Sequence, residues 1–239
     1  MPMYVTYGYG FYGYPMWEWA LMLVSLVIAV AAQIGVSSAF NRYQKVMCAS
    51  GLTGAMAARR ILDANGLAHV PVERVGGRLT DHYDPRANVI RLSPEVYDST
   101  SVAAIGVAAH ESGHAIQYQK GYAPIKIRAA ILPVTRLGSM LAFPLVVLGV
   151  LFSAVDFLVP VGVVLFAAVV LFQLVTLPVE LNASSRAMAI LRDGQMLNPQ
   201  ELKGARRVLT AAAMTYVAAL LTALIQLLRL LAIASRRRN

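Results

Sequence analysis

The sequence predicts a mainly α-helical membrane protein with several transmembrane helices and one small water-facing α+β domain. Hydrophobic residues make up 58% of its 239 residues and charged residues only 14%, a balance far from that of soluble proteins. Its mean hydropathy of +0.59 points the same way. Basic residues concentrate in two stretches, 41–136 and 178–207, which alternate with apolar runs long enough to cross a bilayer.

Charge and cysteine content exclude some classes of protein. The net charge is +9, but the position of the charges along the chain matters more than their sum, and here they flank apolar runs. We therefore expect membrane lipid as a partner and no nucleic acid. The single cysteine, Cys48, excludes an internal disulfide framework, so nothing requires an oxidising compartment.

The chain begins with a Tyr- and Gly-rich stretch, 1–16, which predicts an irregular tail near the membrane interface. Residues 17–40 then form the first predicted transmembrane helix, with Trp17 and Trp19 at one end and Arg42 just past the other. The tail has no positively charged region before the apolar run, so we expect an uncleaved anchor rather than a secretory signal peptide.

Residues 41–136 contain no apolar run long enough to span and predict the water-facing domain. The run 137–177 predicts a transmembrane hairpin, with Asp156 and Pro160 marking its turn. Segment 178–207 is polar and basic again. The positive-inside rule places 41–136 and 178–207 in the cytoplasm of a multi-pass protein of the plasma membrane.

The last segment, 208–239, leaves two alternatives open. Its polar residues share one helical face: Thr215, Thr222, Gln226 and Arg229. A single crossing puts the arginines at 236–238 outside, against the charge rule. A tilted or re-entrant helix avoids that conflict. We favour four spans, although the sequence does not decide between the two arrangements.

The stretch His110-Glu111-Ser112-Gly113-His114 fits the H-E-x-x-H pattern. On an α-helix, positions i and i+4 point the same way, so both imidazoles can reach one Zn²⁺ ion. Catalytic zinc sites leave a position for water, and Glu111 is placed to take a proton from that water as it attacks a carbonyl. The pattern alone also occurs by chance.

The residues around the motif favour the metal interpretation. Residues 98–101, "DSTS", supply N-cap candidates for a helix to about Lys120, with Gly121 as its stop. The helix face before His110 is apolar, which predicts a buried helix. Buried histidines and a buried carboxylate need partners, because burying an unpaired polar group destabilises the fold by roughly 2–7 kcal/mol.

A catalytic zinc site needs a third protein ligand, commonly His or an acid. Glu180 follows the second half of the hairpin, so it returns to the side of the membrane that holds the motif. Asp156 lies at the far turn. Asp193 and Glu201 return to the correct side but lie among Lys and Arg on what reads as a solvated helix. We therefore predict that His110, His114 and Glu180 hold Zn²⁺.

Long segments of the chain resemble the YugP-like family of membrane zinc metallopeptidases, also called neutral zinc metallopeptidases. The likeness lies in residues 50–67, 79–97, 107–117, 122–128, 172–187 and 213–231. It implies a zinc-dependent membrane endopeptidase, with the family's H-E-x-x-H on His110, Glu111 and His114 and its downstream glutamate on Glu180. The fold implied is a small α+β catalytic domain of the zincin type, with the glutamate ligand typical of gluzincins.

"ELNASSRA" (180–187) also resembles the E-x-x-A-D-x-x-A segment of the heat-shock and CAAX-processing membrane metallopeptidases. In those families the Glu is the third zinc ligand. Here Ser184 stands where they carry Asp, so the contact made to a ligating histidine through that position is expected to differ.

Residues 89–92 have the alternating side-chain pattern of a strand, which would follow the turn "DPRAN". This segment could serve as an edge strand that holds an extended substrate by main-chain pairing. His82 and Tyr83 either donate to the oxyanion of the transition state or simply order the turn. The expected substrates are proteins or peptides, membrane proteins among them. One alternative is a non-catalytic membrane scaffold that retains a structural metal. A second is a transporter, but a transporter needs charged residues within its spans, and 137–177 contains only Asp156.

Overall fold

The structure is a computed structural model that describes residues 16–236. Most of the predicted tail, 1–15, and the arginines at 237 and 238 lie outside the described residues. The described part contains seven α-helices and one three-stranded sheet. The predicted mainly helical fold with a small α+β portion is therefore confirmed.

Four of the described helices are long and apolar enough to cross a membrane. They are α1 (Met16–Tyr43), α5 (Ala123–Leu151), α6 (Leu158–Asp193) and α7 (Pro199–Arg236). A 3₁₀ turn, Ser153–Val155, separates α5 from α6 at the predicted turn of the hairpin. Helix α7 is uninterrupted over 38 residues, and whether it crosses the bilayer completely stays a prediction.

The boundaries predicted from composition fall inside helices. Helix α5 continues through the change of polarity at 136/137, α6 through that at 177/178, and α7 through that at 207/208. Side-chain polarity can change along a helix without interrupting its i to i−4 hydrogen bonds, so composition marks a change of surroundings rather than the end of an element.

The chain forms two compact units. Unit one contains the part of α1 up to Ala32, the stretch from Ile131 to Leu174, and the chain from Val217 onward. Within it, Glu18 is buried and forms an ion pair with Arg236. A buried carboxylate needs such a partner, and the pair neutralises one of the arginines that a single crossing of α7 would place against the positive-inside rule.

Unit two contains Gln33–Ala130 and Val175–Tyr216, and therefore every residue proposed for the metal site. Its sheet has the strands β1 (Val72–Arg74), β2 (His82–Asp84) and β3 (Val89–Leu92) in the order β1-β3-β2. β3 pairs parallel with β1 and antiparallel with β2. Strand β2 is thus an edge strand of this sheet. The strand predicted over 89–92 is confirmed, but its expected edge position is wrong, because β3 is the central strand and pairs with β1 and β2 on its two sides.

Helix α4 (Val102–Gln119) lies at the centre of unit two and packs on α2 (Gly54–Ala64) and α3 (Pro94–Tyr97). The hydroxyl of Ser101 accepts a hydrogen bond from the Ala104 N–H, at 3.2 Å, and caps its N-terminus. After the helix, Gly121 has a φ of +62°, which favours glycine. The predicted start and stop of this helix are confirmed.

Candidate metal centre

The motif occupies the buried second half of α4. The residues before it on this helix fill the core of unit two: Ala103, Ala104, Ile105, Ala108 and Ala109. The helix then presents His110 and His114 one turn apart, with ring centroids 4.7 Å from each other. Glu111 and His114 are each only 8% exposed, so their polar atoms need partners within the protein.

Helix α6 supplies the third group. The carboxylate oxygen Oε2 of Glu180 lies 3.1 Å from Nε2 of His110 and 3.4 Å from Nε2 of His114. Glu180 is only 2% exposed. One ligand atom from each of the three residues lies within 4.8 Å of the others. The structure therefore brings together the three residues that the sequence predicts.

This donor set fits a tetrahedral zinc ion. Ligand atoms held about 2.0–2.1 Å from a tetrahedral ion lie roughly 3.3 Å apart, which agrees with the two distances from the Glu180 oxygen. Two imidazoles and one carboxylate are also the ligands of many catalytic zinc sites. The three side chains need only small movements to share an ion.

Gly113 allows α4 and α6 to approach this closely. A Cβ atom added at Gly113 would lie 2.8 Å from the backbone oxygen of Ala183, closer than real Cβ atoms come to such an oxygen. Glycine at this variable position of the motif thus allows the backbone of α6 to lie against α4. Glu180 is one turn before Ala183 and lies beside the two histidines.

The second ring nitrogen of each histidine also has a partner. Nδ1 of His114 lies 3.0 Å from Oε1 of Gln117. The amide nitrogen of Gln117 donates to the Val179 carbonyl at 2.8 Å and to Oδ1 of Asn182 at 3.0 Å. These two acceptors fix the orientation of the amide, so its oxygen accepts from Nδ1–H and leaves Nε2 of His114 for an ion.

Ser184 has the corresponding position at the other histidine. Its Oγ lies 3.1 Å from Nδ1 of His110. The heat-shock and CAAX-processing membrane metallopeptidases carry Asp at this position. In this structure the shorter, neutral hydroxyl of Ser184 still reaches the ring of His110. A hydroxyl orients the imidazole but makes its nitrogen less electron-rich than a carboxylate does.

Arg128, near the start of α5, holds the remaining oxygen of Glu180. Its Nη1 donates to Oε1 at 3.0 Å, while Oε2 faces the histidines. The hydroxyl of Tyr216 also interacts with this carboxylate. Glu180 is thus divided between a guanidinium on one oxygen and two imidazoles on the other.

Glu111 points toward the sheet. Its Oε2 accepts a hydrogen bond from the Tyr83 N–H, at 3.0 Å, so strand β2 lies beside the motif. Tyr83 also packs on Tyr118 with ring centroids 5.5 Å apart, and its hydroxyl donates to Oδ1 of Asn88 at 2.6 Å. His82 is exposed, with Nδ1 2.7 Å from the Thr80 carbonyl oxygen. That contact agrees with His82 ordering the turn.

The other acidic candidates have partners elsewhere. Glu201 is buried and accepts from the backbone N–H groups of Ala49 and Asn198, at 2.7 and 2.8 Å. The sequence suggested that Glu201 lies on a solvated helix face. The structure instead places it in the N-terminal cap of α7. Asp193 is exposed and paired with Arg192.

Electrostatics in the centre favour positive charge. Burial lowers the pKa of His114, but the hydrogen bond with Glu180 and the negative charges of Glu111 and Glu180 outweigh it. The pKa of His114 therefore lies above its ordinary value. Burial also raises the pKa of Asp81, with the charge of Glu111 contributing in the same direction. A cluster of carboxylates that attracts a proton also attracts a cation.

Two residues of the centre were not predicted from the sequence. Gln117 and Arg128 lie in segments quoted for the family resemblance, "VAAHESGHAIQ" and "YAPIKIR", but their contacts depend on how α4, α5 and α6 are rotated in the fold. The only signal available was that Gln117 follows His114 by three positions, on nearly the same face of the helix.

Comparison with known proteins agrees with this geometry. The family model described as "Putative neutral zinc metallopeptidase" matches residues 18–235. The chain belongs to this family. Within the neutral zinc metallopeptidase family, it is 50% identical over 209 residues to the "Putative membrane protease YugP" of Bacillus subtilis (strain 168). That match covers 87% of this chain and 92% of the relative. No solved structure matches.

Proposed function

We propose that this protein is a membrane-embedded zinc endopeptidase that hydrolyses peptide bonds with an activated water. The observation that carries the proposal is the group formed by His110, His114 and Glu180, with Glu111 adjacent on the same helix. His110, His114 and Glu180 would hold the ion. When bound, Zn²⁺ would polarise a substrate carbonyl and lower the pKa of a coordinated water.

Glu111 is assigned the role of general base. Its Oε2 is fixed by the Tyr83 N–H, which orients the carboxylate and leaves Oε1 to receive a proton from the attacking water. The same carboxyl then protonates the leaving amine, because peptide hydrolysis returns the proton that the base removes. Burial of Glu111 limits its access to bulk water, so the proton stays available for that second step.

Strand β2 is suited to hold the substrate. It is an edge strand of the sheet, and its central residue Tyr83 contacts Glu111 through the backbone. An extended peptide that pairs with such an edge gains main-chain hydrogen bonds independent of sequence. We infer that substrates are unfolded or extended segments of proteins, including membrane proteins, whose chain can lie along β2.

We further propose that the site faces the cytoplasm at the plasma membrane. The basic stretches 41–136 and 178–207 motivate this orientation. Because Cys48 is the single cysteine, a Cys48→Ala background carrying Arg86→Cys can be labelled with a membrane-impermeant maleimide. Intact cells should give no labelling at position 86, whereas Ser153→Cys should label. The opposite pattern would refute the orientation.

The function is tested with Glu111→Gln. We expect the variant to keep its zinc and to lose about 10²- to 10⁴-fold of the wild-type rate on casein or a membrane substrate. Glu73→Gln, which removes an exposed carboxylate from unit two, is the matched control and should retain activity. A non-catalytic scaffold with a structural metal predicts no difference between the two variants, and full activity in Glu111→Gln would exclude the mechanism.

A further inference from the structure

A groove of about 830 Å³ lies between α6 and α7 within unit two. We call it the α6–α7 groove. The residues that line it include Leu181, Arg192, Lys203, Arg206, Leu209 and Ala213. No role in metal binding requires this groove, because its lining residues contribute no ligand to the group of His110, His114 and Glu180.

The groove has a charged end and an apolar end. Three basic residues line this end, and all three are exposed: Arg192, Lys203 and Arg206. Arg192 and Lys203 lie within about one turn of the loop that joins α6 to α7, and Arg206 lies about one turn further along α7. Among the described residues that line the groove there is no carboxylate, although Arg192 is paired with neighbouring Asp193. This end therefore attracts an anion.

The opposite end is lined by aliphatic side chains. Leu181 on α6 and Leu209 and Ala213 on α7 contribute there. From Leu181 to Arg192 the helix rises about 16 Å, so the groove from its apolar end to its charged end is long enough for a headgroup and part of a fatty acyl chain. Both helices are candidate membrane spans.

We propose that the α6–α7 groove binds one anionic phospholipid. Its phosphate would contact Lys203 and Arg206, and an acyl chain would lie along Leu181, Leu209 and Ala213. The direction of the charge gradient agrees with a lipid, since the cations lie at the loop end of the two helices and the aliphatic residues lie toward the apolar runs. Basic residues at such a boundary favour anionic headgroups.

An acidic peptide fits the groove less well. It would satisfy the cations but would have to place polar backbone groups against Leu181 and Leu209, which is costly without hydrogen bonds. An acyl chain has no such groups. The groove also includes Ser184, which contacts Nδ1 of His110, so the lipid would lie next to a residue that orients a candidate metal ligand.

The test measures lipid retained by the full-length protein in native mass spectrometry. Purified protein is exchanged into detergent with phosphatidylglycerol or with phosphatidylcholine of the same acyl chains. We expect phosphatidylglycerol to be retained preferentially. The double variant K203Q/R206Q should reduce its apparent affinity roughly tenfold or more. R86Q/K120Q removes two exposed charges of unit two outside the groove, and it should bind like wild type.

A second variant separates the apolar contribution from charge. Thr210→Trp fills the groove without changing its charge, and it should reduce phosphatidylglycerol binding even if K203Q/R206Q proves unstable. Equal retention of the two lipids, or equal loss in R86Q/K120Q and K203Q/R206Q, would overturn the proposal. Complete displacement by glycerol phosphate would reduce the groove to an anion site, and displacement by an acidic peptide would make it a peptide site, so either result also overturns it.

Discussion

Arg128 donates a hydrogen bond to Oε1 of Glu180, at 3.0 Å, while Oε2 of the same carboxylate lies 3.1 Å from His110 and 3.4 Å from His114. This arrangement presents one oxygen to the position between the imidazoles. It also compensates part of the cost of burying the Glu180 charge. The carboxylate is therefore already oriented for one-oxygen coordination of an ion.

The first prediction concerns Arg128. Arg128→Ala should weaken zinc binding by roughly 10- to 100-fold, because residues that orient a metal ligand typically contribute that much. Arg128→Lys should recover part of the affinity, since an ammonium can also donate to Oε1 but with a different geometry. Competition with a fluorescent zinc chelator measures the dissociation constants. Equal affinities in all three proteins would show that Arg128 does not position Glu180.

The second prediction concerns Gln117. Replacing it with Leu removes the acceptor for Nδ1–H of His114 and leaves the Val179 carbonyl without its donor. We expect zinc affinity to fall roughly 10- to 100-fold. Gln119→Leu is the matched control, because Gln119 lies on the same helix but is exposed and bonds only to the Asn65 carbonyl among the contacts described. If the control loses as much affinity as Gln117→Leu, the orienting role is wrong.

The third prediction is a pH dependence of zinc binding. The raised pKa of His114 means that the metal-free protein keeps a proton there to a higher pH than an ordinary imidazole does. Zinc must displace that proton. Apparent zinc affinity should therefore decrease as the pH falls through the raised pKa, by about tenfold per pH unit for one proton, and become constant above it. Isothermal titration in buffers of different ionisation enthalpy measures both the affinity and the protons released.

A flat affinity in that window, with no proton released, would contradict the account. The sign is fixed by the chemistry: a proton and a zinc ion compete for Nε2 of His114, so acidification can only weaken binding at this ligand. Gln117→Leu provides a further check, since the hydrogen bond with Gln117 contributes to raising the pKa. In this variant, the pH below which zinc affinity falls should be lower than in the wild type.

The fourth prediction concerns the close approach of α4 and α6. Gly113→Ala places a Cβ 2.8 Å from the Ala183 backbone oxygen, so the helices must separate. We expect a destabilisation of about 1–3 kcal/mol, typical of overpacking, together with weaker zinc binding because Glu180 moves with α6. Gly35→Ala is the control, because a Cβ there has no atom within 4 Å. Thermal unfolding in detergent and zinc content measure the two effects.

Helix α4 and its motif could be predicted because their signals are local. Ser101, the apolar face and Gly121 all lie within one helix and its caps. Apart from the family resemblance, Glu180 could be predicted only through chain parity, since a hairpin returns the chain to the side it left. That reasoning fixes which side of the membrane a residue occupies, but it says nothing about distance.

The supporting contacts could not be predicted, because they depend on helix rotation. Gln117 and Arg128 reach their partners only when α4, α5 and α6 have a particular rotation about their axes, which periodicity does not specify. Strand β2 has only three residues, too few for an alternating pattern, and its pairing with β3 is set by tertiary contacts. The role of Glu201 as a cap was also not predicted, because its Lys and Arg neighbours in the sequence indicate a solvated helix rather than a buried carboxylate.

The most direct test is an anomalous difference map at the zinc edge from crystals of the zinc-loaded protein. One peak is expected about 2.0–2.2 Å from Nε2 of His110, Nε2 of His114 and a carboxylate oxygen of Glu180. A peak held by the histidines without Glu180, or a zinc ion bound at another position in the chain, would contradict the assignment of this centre.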